Sequence, residues 1–146
     1  MPDMDRRNFI KGSCGLCVAM SSGLLLGAIL ESCHTALKVV KATAQNNIIT
    51  VPLDSFKESN FQLLRVSNYD YDIALQKAAN GTYSALVLRC THAGEPVRHT
   101  GDTFYCSAHG SRFSATGAVI TGPAEEPLKE LATRTDAANV YITLSV

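Results

Sequence analysis

The chain offers two short knuckles, Cys90-Thr91-His92 and Cys106-Ser107-Ala108-His109, each with one thiol and one imidazole, and thirteen residues lie between them. Thiolate and neutral imidazole are the side chains that hold transition metals at neutral pH, and ligand softness decides which metal. Two of each fit either a tetrahedral zinc ion or a 2Fe–2S centre in which one iron takes both cysteines and the other both histidines. Zinc modules usually pair Cys with Cys in one knuckle and His with His in the other. Here each knuckle mixes the types. That suits a two-iron rhomb, because each knuckle can give its Cys to an inner iron and its His to an outer one. A structural zinc module is the alternative.

The elements around the knuckles read as strands and turns. Ile48 to Val51 is β-branched and runs into Pro52, as at a strand end or edge. Gln62 to Val66 and Tyr71 to Ala78 are further strands, and Asn80-Gly81 signals a hairpin. The return, Tyr83 to Arg89, is apolar on both faces through Ala85-Leu86-Val87-Leu88 and is expected to be a central strand that delivers the chain to Cys90. Asp102 to Tyr105 leads into Cys106. Arg112 to Ser114, a turn at Ala115 to Gly117, and Ala118 to Ile120 form a second hairpin, and Leu128 to Thr133 with Val140 to Val146 close the domain. Glu125 to Leu131 could give one helical turn; no long helix is expected. His99 falls in a polar loop between the knuckles and is expected to be solvated. The fold class is all-β.

With Gly110-Ser111-x-Phe113 after the second knuckle, and Gly122-Pro123-Ala124 with Pro127-Leu128 further on, residues 48–146 resemble the Rieske iron–sulfur proteins. The resemblance implies stacked small antiparallel sheets with one 2Fe–2S cluster per chain, held between two loops at one tip. It implies Cys90, His92, Cys106 and His109 as ligands, and a proline-containing covering loop at Gly122 and Pro123. Two neutral imidazoles in place of two thiolates leave less negative charge at the centre, which lifts the potential into a window of about −150 to +300 mV. Loss of a proton from the imidazoles in the oxidised state should make that potential fall as pH rises. Hydrogen bonds to the sulfurs set the place within the window. Ser111 matches the serine that bonds a bridging sulfide in high-potential relatives. Phe113 stands where those relatives carry a tyrosine that bonds a cysteine sulfur. Glu95 and Ala108 stand where the respiratory type has an extra disulfide, and Ala93 replaces a larger apolar residue near a quinol-docking surface. An intermediate potential is expected.

The chain has 146 residues, with 13 basic and 13 acidic side chains and no Trp. Balanced charge without like-charge runs gives no sign of a nucleic-acid surface, and none is expected as a partner. The five cysteines leave no pair for a disulfide framework. At the N-terminus, Arg6-Arg7 with Phe9 and Lys11 resembles a twin-arginine export signal, followed by the uncharged, mildly apolar stretch Gly12 to Leu30. The two motifs support each other, since the twin-arginine route carries folded cargo such as a protein with its cluster in place. Leu30-Glu31-Ser32-Cys33 resembles a lipobox, with Cys33 as the lipidation site, although Glu31 departs from the pattern. The rival fates are an uncleaved span over the 19 residues Gly12 to Leu30 and a soluble protein cleaved after Ala44. Residues 1–33 are thus read as signal or anchor, 34–47 as a tether, and 48–146 as the cluster domain at the periplasmic face of a bacterial membrane.

The expected function is electron transfer, as an exported, membrane-attached one-electron carrier or the small subunit of a periplasmic oxidoreductase. Its partners would be a redox donor and acceptor protein, or quinol. The chain is not expected to be a catalyst alone. The alternatives are a Rieske subunit of a quinol:cytochrome c oxidoreductase, a ferredoxin feeding a ring dioxygenase (which the export signal opposes), and the zinc module. A self-contained oxygenase would need more chain.

Overall fold

The computed structural model describes residues 39–144. Arg6, Arg7, Cys33 and the Gly12 to Leu30 stretch lie outside them. No helix among the described residues is long and apolar enough to cross a membrane.

The strands are β1 (Val39–Ala42), β2 (Ile48–Pro52), β3 (Phe61–Val66), β4 (Ile73–Lys77), β5 (Tyr83–Val87), β6 (Val97–Thr100), β7 (Thr103–Cys106), β8 (Arg112–Ser114), β9 (Val119–Thr121), β10 (Glu130–Thr135) and β11 (Asn139–Thr143). They form a seven-stranded sheet in the order β1-β3-β4-β5-β10-β11-β2 and a four-stranded sheet in the order β6-β7-β8-β9. The expected all-β architecture of small antiparallel sheets is present, with one exception: β1 pairs with β3 in parallel. The larger sheet curls until its end strands approach each other. A two-residue turn between Gln45 and Ile48 joins them, with Asn46 and Asn47 both at positive φ and reciprocal backbone hydrogen bonds of 2.9 Å. Asparagine tolerates that conformation better than other residues with a Cβ.

Alternation along the strands explains the packing. Ile49, Val51, Leu64, Ile73, Leu75, Val140 and Ile142 point into one core inside the curled sheet. Leu86, Leu88, Val97, Phe104, Phe113 and Leu128 form a second core between that sheet and the four-stranded one. β5 lies between the two. Ala85 and Val87 face the first core, Leu86 and Leu88 the second, which is why the run is apolar on both faces. The β4–β5 hairpin turns on Ala78 to Thr82, where Gly81 takes φ +85° and its N–H donates to the Ala78 carbonyl at 2.9 Å. The turn is therefore longer than a two-residue Asn-Gly loop.

Three expectations need correction. The stretch 34–47 is not wholly a tether: Val39–Ala42 is a strand of the main sheet and Ala44 is buried. Residues 125–131 hold no helical turn; the chain there is irregular until β10 begins at Glu130. His99 is not in a loop but on β6, opposite Phe104. A 3-10 turn at Leu53–Phe56 adds Phe56 to the first core.

Candidate metal centre

The two knuckles are built by the same local device. In the first, the Cys90 carbonyl accepts the Gly94 N–H at 2.8 Å and the Cys90 N–H donates to the Glu95 carbonyl at 2.7 Å. In the second, the Cys106 carbonyl accepts the Gly110 N–H at 3.0 Å and the Cys106 N–H donates to the Ser111 carbonyl at 2.9 Å. Each loop thus closes on its own cysteine through a glycine four residues on. Gly94 and Gly110 have φ of +76° and +83°, a region that residues with a Cβ rarely enter. At Gly94 a Cβ would also lie 3.2 Å from the Arg89 guanidinium. The spacing Cys-x-x-x-Gly, present twice, is a sequence signal that reading for ligands alone passes over.

β5 and its continuation through Leu88 bring in Cys90, and β7 ends on Cys106. The two thiols sit at the rim of the second core, 1% and 0% exposed. Both imidazoles are exposed, with His92 and His109 ring centroids 5.1 Å apart and nearly perpendicular. Burial pushes the Cys90 thiol up. Hydrogen bonds from the His92 N–H, the Cys106 side chain, the Ser111 hydroxyl and the Ala93 N–H outweigh it and hold Cys90 below its ordinary value. Donors aimed at a sulfur favour its thiolate, the form that binds metal.

This arrangement fits a 2Fe–2S cluster better than one zinc ion. The donors separate into a buried thiol pair and an exposed imidazole pair, one pair for each iron.

A strap from Gly122 to Leu128 crosses both knuckles. Gly122 and Pro123 are exposed and joined by a cis peptide. Beyond them the Ala124 N–H donates to the Ser111 hydroxyl oxygen at 3.0 Å, and the Thr91 hydroxyl donates to the Glu126 carbonyl at 2.6 Å. Ser111 is fully buried, as is Phe113, which packs in the same core as Cys90 and Cys106. Beside the first knuckle a groove of about 400 Å³ opens between Tyr69, Tyr71, Arg89, His92 and Glu126. The Arg89 guanidinium lies 5.6 Å over the Tyr71 ring.

His99 does not join the centre. Its ring stacks on Phe61 of the main sheet, with centroids 4.1 Å apart, and tilts against Phe104 at 5.5 Å. Burial lowers its pKa, against a smaller upward pull from Asp102. A histidine depressed in the fold takes its proton first in the unfolded chain, near pH 6.5. The native state should therefore be most stable above that pH and lose stability as the pH falls through the folded value. Thermal melts between pH 5 and 8 should show this slope, and His99→Phe, which keeps the stack without a titrating group, should reduce it.

Comparison with known proteins agrees with the geometry. The family model described as Rieske [2Fe-2S] domain matches residues 48–132, more than half of the chain. The cytochrome b6-f complex iron-sulfur subunit of Chlorobaculum thiosulfatiphilum is 28% identical over 97% of this chain and 76% of its own length. A second such subunit, from Trichormus variabilis, is 46% identical over 30% of this chain and 26% of its own length. Among solved structures, the cyanobacterial plasma membrane Rieske protein PetC3 from Synechocystis PCC 6803 superposes with a TM-score of 0.52 at 27% identity, covering 64% of this chain and 95% of that one. The chain belongs to the Rieske [2Fe-2S] domain family and carries a Rieske-type 2Fe–2S cluster.

Proposed function

We propose that this protein is an exported, membrane-attached one-electron carrier, or the small subunit of a periplasmic oxidoreductase. Cys90 and Cys106 would hold the inner iron, and His92 and His109 the outer one. The observation that carries the electron-transfer reading is the split in exposure: thiols at the core rim, imidazoles in solvent. When bound, the cluster supplies a reversible one-electron couple. The chain's own residues do the rest. The exposed edges of His92 and His109 bring a partner within reach. The knuckle N–H groups and Ser111 balance charge on the sulfurs, and the strap keeps water from them. Export by the twin-arginine route rests on Arg6, Arg7 and the stretch that follows; lipidation rests on Cys33.

A second reading, a Rieske subunit of a quinol-oxidising complex, is favoured by the similarity to cytochrome b6-f iron-sulfur subunits along almost the whole chain. Phe113 and Ala93 support the carrier reading instead, as do Glu95 and Ala108, which cannot bridge the knuckles by a disulfide. A redox titration of the full chain separates the two. The carrier reading predicts one reversible one-electron step near the middle of the window of about −150 to +300 mV. A midpoint at its upper end would favour the quinol-linked subunit, and no reversible step would count against both.

A further inference from the structure

The four-stranded sheet has a second face, turned away from the core. Register fixes what it carries. Arg98 pairs with Tyr105, Tyr105 with Arg112, and Arg112 with Thr121, so these four side chains form one row across β6, β7, β8 and β9. Directly paired residues share a face. The opposite face holds Phe104 and Phe113, both buried, so the row points outward. All four members are exposed, Tyr105 by 38%. Ile120, left unpaired by the irregular register of β8 and β9, is 56% exposed beside them.

Two properties distinguish this row. It is positive: none of the four strands contains an acidic residue, Asp102 stands in the turn between β6 and β7, and among the described residues neither Arg98 nor Arg112 has an ion pair or side-chain hydrogen bond. It also borders the metal centre. Tyr105 precedes Cys106 in sequence and Arg112 follows Ser111, so both stand where the second knuckle leaves the sheet. Arginine and tyrosine are the residue types that anchor protein interfaces, because each presents a large rigid surface with polar ends. Two arginines are too few for a lipid headgroup surface, which takes a cluster of about four to eight basic residues.

We infer that the Arg98–Tyr105–Arg112 row is the docking face for an acidic protein surface of the redox partner, which it orients with its own redox group toward His109. The inference rests on the electron-transfer reading above. It is tested by stopped-flow oxidation of the reduced full chain, with its cluster, by an acidic plastocyanin, a basic cytochrome c and a small uncharged quinone. The plastocyanin rate should fall steeply with salt. In Arg98→Gln/Arg112→Gln it should drop about tenfold at low salt and lose most of its salt dependence. The quinone rate should not change, and cytochrome c should react no more slowly. An unchanged plastocyanin rate, or equal slowing with all three oxidants, would overturn the docking face. So would loss of binding to phosphatidylserine vesicles with plastocyanin oxidation intact, which would assign the row to a membrane. The salt dependence of the native chain gives a reading that needs no variant. If the native chain reduces none of the three oxidants, the electron-transfer reading itself fails.

Discussion

Cys106→Ser should purify colourless, with iron and sulfide at background, while the strands of the four-stranded sheet remain. The side chain is fully buried at the core rim, so serine fits the space. The knuckle is closed by backbone groups, Cys106 N–H to Ser111 and Gly110 N–H to Cys106, which the substitution leaves in place. What changes is the donor. A hard hydroxyl of high pKa replaces a thiolate, and the inner iron loses one of its two protein ligands. The melting temperature should also fall, because the cluster binds the folded loops and not the unfolded chain. Iron analysis with circular dichroism checks both parts. A variant that keeps its full iron content would remove Cys106 from the ligand set.

Ser111→Ala is expected to keep the cluster and lower its midpoint potential. The Ser111 oxygen accepts the Ala124 N–H, which leaves the hydroxyl hydrogen for a sulfur of the centre. A donor at a sulfur favours the more negative, reduced state, so its removal lowers the potential. A hydrogen bond to a charged group contributes about 1.5–3 kcal/mol. If roughly 1–2 kcal/mol of that distinguishes the redox states, the shift is about 40–90 mV for a one-electron couple. Alanine also leaves the Ala124 N–H buried without an acceptor, which costs about 1–3 kcal/mol of stability. The two effects separate the roles of this residue. A drop in melting temperature with an unmoved potential would make Ser111 a clip for the strap and nothing more.

The ligands and their surroundings were legible because their chemistry is local. Cys90, His92, Cys106 and His109 stand in two short motifs, and the strands that lead into them, β5 and β7, show continuous apolar or β-forming runs. The parts that escaped depend on partners distant in the chain. Val39–Ala42 has no alternation of its own and becomes a strand only through its pairing with β3. Val97–Thr100 is polar in composition, and only the sheet reveals that His99 lies against Phe61, a residue 38 positions earlier. Ser111 could be picked out by its position after the knuckle, but not its acceptor role toward Ala124, because nothing local brings the strap across it. The paired Cys-x-x-x-Gly spacing was in plain view, yet its meaning rests on the positive φ of Gly94 and Gly110, which the backbone shows directly.

The central claim is that two thiolates hold one iron and two imidazoles the other. Electron paramagnetic resonance of the dithionite-reduced protein, purified without oxygen, tests it most directly. A rhombic signal whose mean g value lies below that of an all-cysteine 2Fe–2S ferredoxin is the predicted result, since two neutral nitrogen ligands on one iron lower it. No signal from protein that contains one zinc ion per chain would contradict the account, and the two knuckles would then be the walls of a structural zinc site.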